Sequence, residues 1–436
     1  MNNINDLEKK YIELLLSKCI YPKHKSLFIS YDKNNIDFIK KLIKIAKVYG
    51  FENILLEEKD VVLERQLLNQ LTVDEIKIHP YFYNQTWNNA LDKKCAFLLA
   101  STTFPNFFCD IDHKKMIAAN QAKSETRKKY IESVMNDSIS WTIFGLPNKL
   151  WAEKLFPDDS NSYKKLEKLI YSFCMIENNN PIDKWNQYID IENKKTIFLN
   201  KLNIKQIILQ NNLGTNLNIG LANNYIFRSL EKEHCIENIP TYSIWTTPHK
   251  YIAEGIVYGS MPITYGNYNI EDYWFKFSNG KLIDYDAKIG KEYLDDFFSK
   301  GDSYKHLGEI AIIDFDSPIA KTQMTYNNNL FDENISTHLA FGSAYQNTIK
   351  NGVNMNQNEL DNVGCNICPE HMDFTIGTED LVIIAKTYDN KFIPSGSYKT
   401  LLITIGKGKG NNFWTLLYPE YYRVEFEESN EIEYRI

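Results

Sequence analysis

The residues in this 436-residue chain whose types and spacing point to chemistry are Glu254, Glu309, Glu333, His338, His371 and Asp373. Each lies in or beside a Gly, Pro or aromatic turn, where side chains from distant parts of a chain can converge. Together they offer hard carboxylate oxygens and imidazole nitrogens, the donor mixture of a dinuclear hydrolytic metal centre. The triplet His371-Met372-Asp373 opens an alternating segment, so its two polar side chains share one strand face and can reach one ion or two adjacent ions. Alone, a His-x-Asp pair is more often a hydrogen-bonded surface pair.

Glu309 enters the apolar run GEIAIIDFDSP, where a buried carboxylate must be paired, protonated or metal-bound; capping the strand edge in water is the plainer alternative. Glu254, in PHKYIAEGIVYGSMP, has the same character, with Gly255 beside it to let backbone come close. In LFDENISTHLAFGSAY, Glu333 and His338 are five apart and Tyr345 lies seven further on. On a short helix and the following turn, that spacing sets a carboxylate, an imidazole and a phenol around one cavity. Core packing of Leu330, Ile335 and Leu339 explains it equally, and Tyr345 as a packed tyrosine with a satisfied hydroxyl is the bland reading.

CNICPEHMD carries Cys365 and Cys368 at metal-ligand spacing with His371 three residues later, but no second pair completes a structural zinc site. The two cysteines are expected to be ordinary thiols near the site. The sequence has neither a G-x-S-x-G elbow nor H-E-x-x-H, which disfavours a serine hydrolase and a single-zinc protease of that kind.

The elements that must position these groups differ between the two halves, giving an α+β or α/β fold class. Residues 1–200 alternate amphipathic helices with short apolar strands, as α/β domains do. Leu7, Tyr11, Leu14, Leu15 and Cys19 share one helical face over 4–19, SLFISYD (26–32) reads as a buried strand, and 34–48 is a second helix with Ile36, Ile39, Leu42, Ile43 and Ala46 inward. ENILLEE and CAFLLAST repeat the strand signal, a long helix spans about 113–136, and SWTIFGLP follows as a strand. No Gly-rich turn follows any of these strands, so a dinucleotide fingerprint and a phosphate loop are both absent.

Residues 201–436 change to strands and turns, with SNG and YDN as hairpin signals, and predict a β-rich catalytic domain with inserted helices near 291–300 and 330–350. The hydrophobic content of 43% and charged content of 24% are those of a globular chain. A net charge of -7, with both signs interleaved, argues against nucleic acid as the partner and fits a cationic or neutral small substrate. No stretch approaches the roughly 20 apolar residues that cross a bilayer. Seven scattered cysteines do not make a secreted disulfide framework, so a cytoplasmic protein is expected.

Five segments, in order, make the chain resemble the M29 family of metallo-aminopeptidases, the aminopeptidase S/T/PepS group. They are LGTNLNIGL (213–221), TTPHKYIAEGIVYGSMPITYGN (246–267), HLGEIAIIDFDSPIA (306–320), LFDENISTHLAFGSAY (330–345) and HMDFTIGTEDL (371–381). Weaker similarity runs through 119–157, so the resemblance covers about 1–395 and leaves about 396–436 as an extension. The departures are Asn216, where the family usually has Asp, and Gln346, where Pro is common; neither is a ligand position.

The resemblance implies a metallo-aminopeptidase that hydrolyses the N-terminal bond of short peptides with a free amino terminus. It implies two divalent cations per subunit (zinc, cobalt or manganese) and a metal-bridged water as nucleophile. By it, Glu254, Glu309, His338, His371 and Asp373 are ligands with Glu309 as bridge, Glu333 is general base or further ligand, and Tyr345 stabilises the intermediate. It also implies a homodimer. A non-catalytic peptide- or metal-binding homologue and an amidase acting on a small non-peptide amide are the alternatives.

Overall fold

Apolar runs of five to seven residues alternate with amphipathic stretches through the first half; those at 26–32, 96–101 and 141–145 become mostly buried strands, and the edge strand at 53–59 stays partly exposed. The computed structural model describes residues 5–18, 20, 25–232, 235–265, 268–389 and 392–394; Cys19 and the extension from about 396 lie outside them. The helices of this half are α1 (Asp6–Lys18), α2 (Ile36–Val48), α3 (Val61–Gln70), α4 (Val73–Ile78), α5 (Thr86–Asp92), α6 (His113–Met135), α7 (Lys149–Leu155), α8 (Ser162–Phe173) and α9 (Pro181–Lys201). Its strands are β1 (Ser26–Asp32), β2 (Asn53–Lys59), β3 (Ala96–Ser101) and β4 (Trp141–Gly145).

The second half supplies β5 (Ile204–Gln210), β6 (Asn216–Leu221), β7 (Glu231–Lys232), β8 (Cys235–Ile236), β9 (Asn238–Ile239), β10 (Ser243–Thr246), β11 (Pro248–Tyr258) and β12 (Ile263–Tyr265). It continues with β13 (Tyr268–Ser278), β14 (Lys281–Ile289), α10 (Lys291–Ser299), β15 (Leu307–Ile313), α11 (Asn329–Asp332), β16 (His338–Gly342), α12 (Gln357–Asn362), β17 (His371–Thr375), β18 (Val382–Thr387) and β19 (Phe392–Pro394).

Three large sheets and the two-stranded antiparallel β7-β8 pair organise these strands. The first is parallel, in the order β2-β1-β3-β4-β9. Strand alternation splits β1 between two cores: Leu27 and Ile29 pack on one side, Phe28 on the other with Trp87, Phe97, Tyr130 and Trp141. Covering both faces with helices is what a parallel sheet requires. Its last strand, β9, comes from the second half and pairs Ile143 with Asn238.

The second sheet is antiparallel in the order β10-β15-β16-β17, and the third is an antiparallel eight-stranded sheet in which β14 branches onto β13. Ile310, Leu339, Phe341, Met372 and Phe374 turn one face of the four-stranded sheet into a core shared with the larger sheet. Phe341 anchors that core, its ring centroid 4.8 Å from Phe275 and 5.0 Å from Phe374.

The helix expected near 291–300 is α10. The one expected near 330–350 is different: α11 closes after a single turn, and HLAFG forms β16, buried throughout and hydrogen-bonded to strands on both sides. Ladder pairing and burial on both flanks outweigh the helical spacing of Leu330, Ile335 and Leu339. No helix among the described residues is long and apolar enough to cross a membrane.

Candidate metal centre

The face of the four-stranded sheet opposite the aromatic core carries the polar residues. Residues directly across an antiparallel ladder share a face. Glu309 on β15 opposes Ala340 on β16, which opposes Asp373 on β17, while His338 opposes Ala311 and His371 opposes Gly342. Glu309, His338, His371 and Asp373 therefore project from three neighbouring strands to one side. The central strand places its small residues, Ala340 and Gly342, between the carboxylates and leaves the space above them open. Gly342 has φ +92°, and a Cβ there would lie 2.2 Å from the Glu370 carbonyl oxygen, so this turn admits only glycine without strain.

Distances within the cluster are short. His371 Nε2 is 3.1 Å from Glu309 Oε2 and 3.1 Å from Asp373 Oδ1, and one ligand atom from each of the three residues lies within 4.8 Å of the others. His338 Nε2 is 4.0 Å from Glu309 Oε1. Both imidazoles turn Nδ1 to backbone, His371 donating to Ser343 O at 2.7 Å and His338 facing Ser336 O at 3.4 Å. That fixes the rings and directs both Nε2 atoms at the carboxylates, the tautomer that metal-ligating histidines adopt.

Burial lowers the affinity of His371 for its proton, but the carboxylates of Asp373 and Glu309 outweigh it and hold the imidazole well above its usual range. Burial pushes the Asp373 carboxyl up, and the His371 cation outweighs it and holds the carboxyl below its usual range. In the protein alone the His371 proton is thus the counter-charge of the two carboxylates. A divalent cation does the same work with more charge, and the donor set suits it: buried, hard carboxylate oxygens with two preoriented imidazoles fit zinc or other first-row divalent ions.

Glu333 follows α11 as its C-cap and reaches the same cavity. Its Oε1 accepts from Asn238 Nδ2 at 3.2 Å and Asn334 Nδ2 at 3.5 Å. Burial, then the charges of Asp373 and Glu309, drive its carboxyl well above the ordinary range. The Tyr345 ring centroid lies 5.4 Å from that of His371; burial and then the Glu309 and Asp373 charges keep its hydroxyl protonated.

Glu254 does not join them. It is exposed on β11 and accepts from the Asn279 backbone N–H at 3.1 Å and Ser278 Oγ at 3.3 Å, bracing the β13–β14 hairpin. Strand alternation turns its neighbour Ala253 into the core and Glu254 outward. Cys365 and Cys368 are buried free thiols, with burial pushing Cys365 up to about 12.

The polar face and its covering form a small cavity of about 50 Å³. Its remaining walls bring in residues that the sequence does not single out: Trp141, Glu237, Asn238, Ser243 and Trp245. Ser243 and Trp245 share the cluster's face because they oppose Ile313 and Ala311 on β15. Trp141, Glu237 and Asn238 arrive through the parallel sheet, where β9 joins β4. No chemical spacing marks any of these residues; only the alternation in SIWT hinted that Ser243 and Trp245 face one way.

Known proteins with this arrangement can be compared directly. The model of the family described as thermophilic metalloprotease (M29) matches residues 5–404, somewhat further than the sequence motifs alone reached. Aminopeptidase 2 of Geobacillus stearothermophilus is 28% identical over 393 residues, covering 88% of this chain and 95% of that protein. Aminopeptidase PepS of Streptococcus thermophilus is 26% identical over 402 residues, covering 90% and 97%. The solved structure of wild-type AmpT from Thermus thermophilus superposes with a TM-score of 0.80 at 24% identity, covering 91% of this chain and 99% of that one, which establishes the shared fold. With the family model spanning nearly its whole length, the chain belongs to the thermophilic metalloprotease family M29.

Proposed function

We propose that this metalloprotease is an aminopeptidase that releases N-terminal residues from short peptides, using two divalent cations held by Glu309, His338, His371 and Asp373. The observation that carries the reading is the convergence of two carboxylates and two imidazoles from three adjacent strands, with His371 Nε2 3.1 Å from both Glu309 and Asp373. Aminopeptidase relatives of nearly full length support the substrate class. Glu309 is the bridge in this scheme, since its two oxygens face different imidazoles. Glu254 is left out of the proposed set because its carboxylate serves the turn at 278–279.

Divalent cations in this donor set supply Lewis acidity, polarising the scissile carbonyl and acidifying water. Glu333 is suited to proton transfer: amide donors fix Oε1, and with cations offsetting the Asp373 and Glu309 charges that hold its proton on, Oε2 would be free to take a proton from the attacking water and return it to the leaving amine. Tyr345, protonated throughout the neutral range, donates its O–H to the developing oxyanion. The carboxylates lining the cavity, Glu237 among them, receive the substrate's α-ammonium, and Trp141 and Trp245 form the apolar wall for its first side chain. A peptide anchored by its amino terminus in this cavity presents only its first bond.

The test is exhaustive chelation followed by titration with zinc, cobalt or manganese, assayed on aminoacyl-p-nitroanilides and on a matched N-acetylated peptide. The reading requires activity that vanishes and returns with metal and that spares the blocked peptide. Activity persisting in the metal-free protein, or equal cleavage of the acetylated substrate, would sink it.

A further inference from the structure

At the carboxyl end of β2, far along the parallel sheet from β9, burial, charge and space coincide without a part in the hydrolytic reading. Leu55, Glu57 and Lys59 alternate onto one face of β2, and Lys59 and Glu57 border a cavity of about 330 Å³ with Lys123 and Arg127 of α6. Three cations meet three carboxylates there, Glu57, Glu58 and Glu64. Lys123 pairs with Glu64 at 2.5 Å, and Glu57 accepts from Ser30 Oγ at 2.6 Å and Trp87 Nε1 at 2.8 Å. Glu58, at the rim, turns to the other face and accepts from the Tyr31 hydroxyl at 3.0 Å.

Lys59 and Arg127 make no close ion pair or hydrogen bond through their cationic heads among the described residues; they share one buried carboxylate, Glu57, which burial pushes up but which their charges hold below its usual range. The Arg127 guanidinium stacks 4.6 Å from the Trp87 ring, and its Nε is buried with no acceptor. Burial, reinforced by Arg127, pulls the Lys59 ammonium down to about 8 despite the attraction of Glu57. Two cations crowded together and partly desolvated are costly unless an anion joins them. A guanidinium stacked on an aromatic face has its N–H edge free for the paired oxygens of a carboxylate or phosphate. The location agrees with a general property of open α/β sheets, whose ligands bind beyond the carboxyl ends of the strands.

We propose that this cavity is a second ligand site, separate from the metal centre, which binds a small oxyanion between Lys59 and Arg127. The bound group is a carboxylate or a phosphate carried by a small molecule, with Tyr81 and Phe82 as the apolar wall for its remainder.

The experiment is thermal unfolding of the metal-loaded protein against rising inorganic phosphate, and separately acetate, at constant ionic strength set with chloride. The proposal expects a saturable rise in melting temperature, and whichever anion acts at lower concentration names the group. Lys59→Met and Arg127→Met should each weaken that response roughly tenfold or more, Lys59→Arg should keep it, and peptidase activity should be unchanged in all three. No saturable rise beyond chloride, or a rise that survives in both Met variants, overturns the proposal; the second result would place the anion elsewhere, including the metal centre. Should the variants fail to fold, acetic anhydride labelling of wild-type protein decides. Lys59 should acylate with a midpoint near pH 8 and be protected by the effective anion, and labelling that the anion leaves unchanged also overturns it.

Discussion

Each group in the cluster acts through what surrounds it. One proton on His371 offsets part of the charge of the Glu309 and Asp373 carboxylates, and a divalent cation that takes this imidazole as a ligand must expel that proton on binding. Below the raised pKa of His371, metal affinity should therefore climb about tenfold per pH unit, and calorimetry in buffers of different ionisation enthalpy should record one proton released per site. Affinity independent of pH across that range would contradict the charge balance. Glu309→Gln should reduce kcat by about 10³-fold or more and lower metal content, because the proposed bridge loses its anionic oxygens. Tyr345→Phe leaves the donor set intact and should lower kcat by about 10²-fold with KM nearly unchanged; a loss seen mainly in KM would make Tyr345 a packing residue.

At the scale of elements, the centre depends on the four-stranded sheet keeping its register. A one-residue slip of β16 would turn His338 into the aromatic core and Leu339 toward the cavity. Gly342 guards that register through a left-handed turn that brings its Cα against the Glu370 carbonyl. Gly342→Ala should cost roughly 1–3 kcal/mol, read from denaturant midpoints, and should lower activity by displacing His371 opposite it. Ala340→Leu tests the space instead: the protein should fold, bind metal weakly and lose most of its turnover, since the added side chain occupies the gap between Glu309 and Asp373. The longer strands were mostly legible as apolar or alternating runs. The short β7 to β10 carried no run long enough to signal a strand, and at β16 helical spacing misled because the partners that stabilise it as a strand are 27 or more residues away in the chain, as with His338 and Ala311.

For the molecule as a whole, the metal pocket exists because two unlike units meet. Trp141, Glu237 and Asn238 belong to the parallel sheet's edge, whereas Glu309, His338, His371 and Asp373 belong to an antiparallel sheet. Exposed apolar side chains remain on β11 and β14, among them Tyr251, Ile252 and Ile283, and the homodimer that the sequence resemblance implies is open to direct measurement. Light scattering behind size exclusion should give twice the 51.0 kDa chain mass; a monomer at micromolar concentration would remove the dimer from the scheme.

Local chemistry and order along the chain were enough to identify the donor types, the alternating His371 and Asp373 pair, the change of texture near residue 200 and the family. Those properties are written in side-chain type and in periods of two and 3.6, which need no knowledge of distant contacts. Tertiary structure alone decided that Glu254 points into a hairpin rather than the centre, that HLAFG is a strand, and that Asn238 holds Glu333. It also brought Lys59 and Arg127 to one cavity. Each of these depends on which segments become neighbours after folding, and pairing across 25 to 95 residues is set by the summed burial of the whole core rather than by any local pattern.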